Sequence, residues 1–421
     1  MNSPKYPKYM RGRCELLASA PEHWRTLQLK WAIKFQRGHD LPAEDRADGS
    51  VPVVSSAGVS GKHSVAKAKA PGIVTGRCGS IGSFHLIEQD YWPLNTTLYS
   101  VDLRGNEPRF LRYMLTHLSP LFVLNAVKSA VPAVDRNDIH PTPIAIPDTG
   151  EQRSIADFLD DQTASIESLI AAKMTLIELA IEKRRSYAAE VCIRGLDSTA
   201  PRQNSGVPTV GDVPKHWTIL RNKFIFCEVD ERSVDGAEEL LSVSHITGVT
   251  PRSEKPDVTM FMAESLDGYK KCQKDDLIIN TMWAWMGALG ISKCDGIVSP
   301  GYNVYRLRTK AVPAFLDLLY RTPQYVTEFT RWSKGVWESR LRLYPFEFSQ
   351  ILTPLPPYEE QQAIVEAVEQ KTGGFREAVR TLENSIAKLG EYRSALVSAA
   401  VTGQIDVRNY RPQEAAFAGQ R

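Results

Sequence analysis

The stretch FREAVRTLENSIAKLGEYRSALVSAAV, residues 375–401, decides how this chain is built. Phe375, Leu382, Leu389 and Leu396 recur every seven residues, and Val379, Ile386, Arg393 and Ala400 fill the alternate seam. That a/d spacing lays an apolar stripe along one side of a helix, and such a stripe requires a cover. A second stretch behaves alike: Ile170, Ile177, Arg184 and Val191 share a line, with Ile166, Met174 and Ile181 beside it. One arginine falls on each stripe, Arg184 and Arg393. A lone helix of this kind would pack on its own domain. Two in one chain can cover each other as an antiparallel coiled coil, and that is the expected arrangement. Gly390 costs the second helix about 1 kcal/mol relative to alanine. Gly373-Gly374 predicts a break between residues 375–401 and a short helix over residues 360–370. A rod of that reduced length measures roughly 40 Å at 1.5 Å per residue. One turn of B-DNA is about 34–36 Å, so the rod would hold two heads about one turn apart.

Working outward, the segments around the helices repeat. Pro21-Glu22-His23-Trp24 returns as Pro214-Lys215-His216-Trp217, and Ile146-Pro147 followed by Glu151-Gln152 returns as Leu355-Pro356 followed by Glu360-Gln361. Each helical segment closes on a glycine and an aspartate, Gly195 with Asp197 and Gly403 with Asp406. The order is therefore globular unit, helix, globular unit, helix. In residues, the expected division is 1–147, 148–197, 198–355 and 356–406, with a tail over 407–421.

Within the first globular unit, Val51-Pro52-Val53-Val54 and Gly72-Ile73-Val74 read as strands, and 110–118 as a short helix. Turns are expected at Gly58 to Gly61 and at Gly76 to Gly82. The second unit follows a comparable course: Leu277-Ile278-Ile279 as a strand, Gly287 and Gly290 in the following turn, and 315–320 as a helix. The fold class expected is mixed α/β, with two globular domains joined by two long helices.

Bulk properties bound the function without choosing it. At 421 residues the chain exceeds what one core supports. A net charge of +2 neither supports nor excludes a polyanionic partner. The six cysteines include no C-x-x-C pair, which argues against a zinc knuckle or a disulfide framework. The start, Met1-Asn2-Ser3-Pro4-Lys5-Tyr6-Pro7, has no apolar signal-peptide core, and residues 277–291 are too short to span a bilayer. The expected place is the cytoplasm, with no membrane involved.

Taken in this order, the motifs resemble those of the specificity subunit of type I restriction-modification enzymes. Pro-x-His-Trp opens each domain, preceded in the second copy by Ser205-Gly206-Val207 and Gly211-Asp212-Val213. Pro-x-x-Glu-Gln follows the second domain, within Pro356-Pro357-Tyr358-Glu359-Glu360-Gln361; its counterpart after the first, Pro147-Asp148-Thr149-Gly150-Glu151-Gln152, has one more residue in the gap than the motif counted from Pro357. Thr402-Gly403-Gln404-Ile405-Asp406 closes the chain's second helix. The first copy departs from the pattern: Leu16-Leu17-Ala18-Ser19-Ala20-Pro21 lacks the Ser-Gly and Gly-Asp elements, and its helix ends Arg194-Gly195-Leu196-Asp197. The resemblance implies two target-recognition domains reading the halves of a split sequence in double-stranded DNA across a two-helix spacer. It also implies two methyltransferase subunits docked on the helices, a translocating nuclease joining for cleavage, and no catalysis or cofactor in this chain.

The residues present agree with a non-catalytic part. Leu355-Pro356-Pro357-Tyr358 cannot serve as the Pro-Pro-Tyr motif of an amino-methyltransferase, because Leu355 offers no oxygen to the target amine. Gly58-Val59-Ser60-Gly61-Lys62-His63 lacks phosphate-loop spacing and has His63 where a magnesium-binding hydroxyl belongs. Glu369-Gln370-Lys371 lies on a helix without the strand a nuclease motif needs. His23 and His216 are expected to hydrogen-bond near Trp24 and Trp217, which anchor a domain edge.

Readout of DNA needs cations and amides at base edges and hydroxyls or cations at phosphates. In the first domain the candidates are Lys62, His63, Arg77, Ser80, Lys128, Arg136 and Asn137. In the second they are Trp283, Lys293, Lys334, Trp337, Arg340 and Arg342. The segment 334–342 combines alternating cations with an aromatic and a glycine, and ranks first among them. Lys183-Arg184-Arg185 on the first helix could face phosphate or a partner subunit. A different class remains open: a coiled-coil scaffold whose heads bind proteins.

Overall fold

A computed structural model describes residues 4–14, 17–126, 132–245, 247–254, 265–335 and 341–411. Two compact units emerge, residues 1–174 with 383–421, and residues 175–382. Both cuts fall inside long helices, so each unit holds one globular domain and one end of each helix.

In the first unit a four-stranded antiparallel sheet runs in the order Lys34–Arg37, Thr97–Asp102, Gly72–Gly76, Phe84–Ile87. The strand Arg25–Gln28 pairs separately with Pro143–Ile146. A helix, Pro108–His117, begins on a proline whose missing N–H costs nothing at that position. It buries Phe110, Leu111, Met114 and Leu115 against Phe35, Ile73 and Leu98. Each such side chain contributes roughly 1.5–3 kcal/mol when fully buried.

The second unit repeats this plan. Its sheet runs Phe226–Val229, Tyr302–Leu307, Leu277–Asn280, Leu289–Ile291, again antiparallel throughout. Thr218–Arg221 pairs with Leu352–Leu355 as Arg25–Gln28 does with Pro143–Ile146. The helix Pro313–Tyr320 also starts on proline. Its Phe315, Leu316, Leu319 and Tyr320 share a core with Tyr325, Phe329 and Phe348.

The first long helix is Thr149–Arg194 and the second Tyr358–Val401. In the first unit Ile155, Leu159 and Ile166 share a core with Leu396, Val397, Ala400 and Val401, and Arg393 Nη1 bonds Glu167 Oε1 at 2.9 Å. Tyr410, beyond the second helix, donates to Asp161 at 2.7 Å. Residue numbers rise on one partner as they fall on the other, so the pairing there is antiparallel. In the second unit Val191, Cys192 and Ile193 share a core with Ile364 and Val368. Partial burial first, and then the neighbouring Arg376, Arg321 and Arg185, hold the Arg184 guanidinium below its ordinary range.

Three local expectations change. Gly373-Gly374 does not break the second helix, which is continuous over 44 residues, roughly 66 Å. A Cβ at either glycine would meet nothing within 4 Å. The half-buried Phe375, Val379 and Leu382 carry the helix past a cost of about 1 kcal/mol per glycine. The near-match to one DNA turn therefore does not follow from helix length. On the first helix the flank of the seam is not Met174 and Ile181, which are exposed, but Lys173, Ala180 and Tyr187. They continue from Ile166 at strict heptad spacing. Finally, Gly58–His63 is a strand paired with Val51–Ser55, the reversal lying at Ser56-Ala57. Gly290 likewise sits in a strand, where a Cβ would come within 3.0 Å of Asp317 Oδ1.

Candidate nucleic-acid interface

The repeated motifs meet in space, once in each unit. In the first, Glu151 Oε1 accepts from the indole N–H of Trp24 at 3.0 Å and from the hydroxyl of Tyr6 at 2.6 Å. Its Oε2 lies 2.8 Å from His23 Nε2. In the second, Glu360 Oε1 accepts from Trp217 at 3.1 Å and its Oε2 lies 2.6 Å from His216 Nε2. The neighbouring glutamine completes each junction. Gln152 Oε1 accepts from the Glu107 N–H while its amide donates to the Pro147 carbonyl; Gln361 does the same with Val312 and Pro356. The Pro-x-His-Trp and Glu-Gln motifs thus form a clamp tying the strand Arg25–Gln28 or Thr218–Arg221, and the short helix of each domain, to the start of a long helix. Asp148 stands where the second copy has Pro357, and its Oδ1 accepts the Glu151 N–H at 3.0 Å, capping the helix.

The helix ends close on these clamps. Gly403, at φ +72°, would bring a Cβ within 2.4 Å of Pro21 Cδ and 3.2 Å of the Trp24 ring. Gly195, at φ +73°, lies against Pro214, Trp217 and Glu360. The tryptophans, glutamates and histidines are occupied in structure, as expected of His23 and His216. Among the described residues no group of three or more His, Cys, Asp or Glu could hold a metal ion. Nor is any described helix long and apolar enough to cross a membrane.

The sequence candidates lie away from the clamps, on the outer parts of each domain. In the second domain the fold brings three of the sequence candidates together. Trp283, Lys334 and Arg342 line one cleft of about 730 Å³ with Met282, Trp285 and Tyr344. Lys334 and Arg342 exchange two backbone hydrogen bonds of 2.9 Å, which closes the base of a loop, and Lys334 is ion-paired with Glu347. Trp283 is half exposed, held at the start of a short 3-10 turn that ends on Gly287 at φ +84°. Trp337 and Arg340 lie outside the described residues. Lys293 is exposed on a separate turn.

The first domain's candidates scatter more widely. Lys62 is exposed on the strand Gly58–His63, whereas His63 is turned inward. It is 7% exposed, accepts the Ala47 N–H through Nδ1 at 3.1 Å, and packs edge-on against Trp92. Arg77 and Ser80 sit in the turn after Gly72–Gly76, and the Arg77 carbonyl accepts from Val134 at 2.8 Å. That bond brings the turn beside Arg136 and Asn137, both exposed on the helical turn Arg136–Ile139 that Asp135 caps. Lys128 lies outside the described residues. His140, behind that turn, accepts the Phe35 N–H through Nε2 at 3.1 Å. Burial first, then Arg136, Lys30 and Lys34, hold its ring below the ordinary histidine range, despite an opposing pull from Asp135.

Sequence reading missed two residues exposed on the framework itself, Trp31 and Phe224. The signal was present in the first repeat, since they stand at the same distance beyond Trp24 and Trp217.

Comparison with known proteins follows the same lines. The family model described as the type I restriction modification DNA specificity domain matches residues 21–178. The chain is 23% identical to the type I restriction enzyme EcoDI specificity subunit of Escherichia coli, over 91% of this chain and 89% of that protein. It is 22% identical to the EcoBI specificity subunit of the same organism, over 74% and 69%. Its fold is similar to a chain solved in work on complex assembly and conformational transition of the type I R-M system. There the TM-score is 0.59 at 16% identity, covering 92% of this chain and 99% of the other. The specificity domain lies over the first clamp and the framework is built twice: over most of its length this chain is similar to type I restriction-modification specificity subunits.

Proposed function

We propose that this chain reads a bipartite, asymmetric sequence in double-stranded DNA with two unlike target-recognition domains, over residues 1–147 and 198–355. It catalyses nothing itself and directs adenine methylation and restriction by partner subunits in the cytoplasm. The observation that carries the reading is a duplicated framework under unlike surfaces. Both units share the clamp, the sheet order and the helix Pro108–His117 or Pro313–Tyr320. Over that plan the first adds a sheet of Val51–Ser55, Gly58–His63 and Trp92–Pro93. The second instead adds two separate pairs, Leu241–Ser244 with Gly248–Pro251 and Lys270–Cys272 with Gly296–Val298. Heads reading one palindrome would match in both layers.

DNA contact is assigned to Lys62, Arg77, Ser80, Arg136 and Asn137 in the first domain, and to Trp283, Lys293, Lys334 and Arg342 in the second. Two methyltransferase subunits dock along the long helices, and a translocating nuclease joins them. Leu169, Leu176 and Leu179 on one flank of the first helix's seam, and Met174 and Ile181 on the other, are exposed and support that docking.

Methylome sequencing tests the reading. A bipartite methylated motif with a fixed gap, lost when the gene is deleted, is the expected result. An unchanged methylome would overturn it and favour a scaffold with protein-binding heads.

A further inference from the structure

Trp31 and Phe224 occupy one position of the duplicated framework. Each follows a lysine, Lys30 or Lys223, in the turn after the strand Arg25–Gln28 or Thr218–Arg221. Burial runs in step through both turns: Leu29 and Asn222 are buried, the lysine and aromatic exposed, and Ala32-Ile33 and Ile225-Phe226 buried again. The same backbone bond anchors each turn, from Leu29 N–H to the Thr142 carbonyl at 2.8 Å and from Asn222 N–H to the Ile351 carbonyl at 2.9 Å. Trp31 is 61% exposed and Phe224 54%. In each copy the lysine ammonium stands over the ring, 5.5 Å from its centroid for Trp31 and 5.0 Å for Phe224.

Nothing within either domain asks for an aromatic there. A ring left in water forfeits the stabilisation that burial would have contributed. One such ring would be unremarkable, but here the pair recurs at equivalent positions.

The surroundings are cationic. Lys30 N–H bonds the His140 carbonyl, which places the first pair beside the turn that carries Arg136 and near Lys34. Arg308 donates to the Lys223 carbonyl at 3.4 Å, beside the second pair. Among the described residues, Lys30, Lys34 and Lys223 make no ion pair.

We propose that the Lys30–Trp31 and Lys223–Phe224 pairs are sequence-independent grips on the DNA sugar–phosphate backbone, one for each half-site. The lysine takes a phosphate and the ring lies against the neighbouring deoxyribose. A DNA strand alternates anionic phosphate with an apolar sugar face, which suits an unpaired ammonium held over an exposed ring. Its chemistry is also the same at both half-sites whatever the bases, which fits a grip placed on the shared framework rather than on the unlike loops. This inference rests on the DNA-reading function proposed above.

The test uses the full chain in complex with its methyltransferase subunits. Binding is followed by fluorescence anisotropy across a salt series, on a duplex carrying the motif read from the methylome and on a scrambled duplex. The double variant Lys30→Gln with Lys223→Gln is expected to flatten the slope of log K against log salt by about 1.8, since each phosphate contact contributes about 0.9. Both duplexes should weaken by a similar factor and the methylated motif should stay the same. Lys30→Arg with Lys223→Arg should keep the wild-type slope. Trp31→Ala with Phe224→Ala should weaken both duplexes without changing the slope. A wild-type slope in the Lys→Gln variant overturns the proposal, as does a loss confined to the motif duplex, which would mean base readout. Loss of methyltransferase subunits from the purified complex also overturns it, because the surface would then be a protein dock. If the wild-type complex shows no bipartite motif, the underlying reading fails; a motif with an unmoved slope defeats the grips alone.

Discussion

Glu151 and Glu360 do the same work with unequal support. Glu151 has a side chain 5% exposed and three partners, including the buried Tyr6 hydroxyl and Trp24 indole. Burial and this carboxylate together push the Tyr6 hydroxyl's pKa well above the usual tyrosine range. Glu360 has a side chain 24% exposed and two partners. Removing a shared acceptor strands its donors, and a buried donor without a partner costs about 1–3 kcal/mol. Glu151→Ala is therefore expected to destabilise its unit by about 3 kcal/mol and Glu360→Ala by about 1 kcal/mol. Urea denaturation of the full chain measures both. Equal losses would mean that the two clamps are energetically interchangeable.

At the scale of elements, the long helices end by different devices on similar glycines. After the second helix, Gln404 N–H bonds the Ala399 carbonyl at 2.7 Å and Gly403 N–H bonds Ala400 at 3.2 Å. That pair of bonds is a Schellman cap. After the first, a single bond joins Gly195 N–H to the Val191 carbonyl at 3.0 Å. Both glycines adopt left-handed φ, which costs other residues roughly 1–2 kcal/mol. At Gly403 a Cβ would also strike the Pro21 ring, whereas at Gly195 its nearest neighbour is Glu360 Oε1 at 3.1 Å. Gly403→Ala should lower the urea midpoint clearly more than Gly195→Ala. A larger effect at Gly195 would place the tighter junction at the other clamp.

For the molecule as a whole, the function proposed above makes helix length a functional variable. Inserting seven residues in both long helices preserves the heptad phase, since an ideal helix drifts only about 20° over that length. Each helix grows by roughly 10 Å. The expected outcome is a methylated motif with a gap longer by about three base pairs or fewer and the same bases at either end. Insertion in one helix only should unpair the seam and abolish methylation. A changed base in either half, read from the methylome, would count against a spacer that is separate from the reading heads.

Much of this architecture is legible in the chain itself, because it is written in local periodicity and in repetition. The heptads of residues 375–401, the returning Pro-x-His-Trp and Glu-Gln, and the closing glycines all act over a few residues, and each found its element. Local rules failed where tertiary contact outweighs propensity. Gly373-Gly374 stays helical because Phe375, Val379 and Leu382 are half-buried, and Gly58 opens a strand because Val51–Ser55 is there to pair with it. The candidate site was harder to see. His63 looked like a surface ligand until Ala47 and Trp92 closed around it, and only the loop base at Lys334 and Arg342 brought Trp283 beside them. Which glycine meets which clamp was likewise invisible in the sequence. Gly195 closes on Trp217 and Gly403 on Trp24, because antiparallel helices carry the end of one back to the start of the other. Periodicity sets what each segment is; the return of the chain on itself sets what each segment touches.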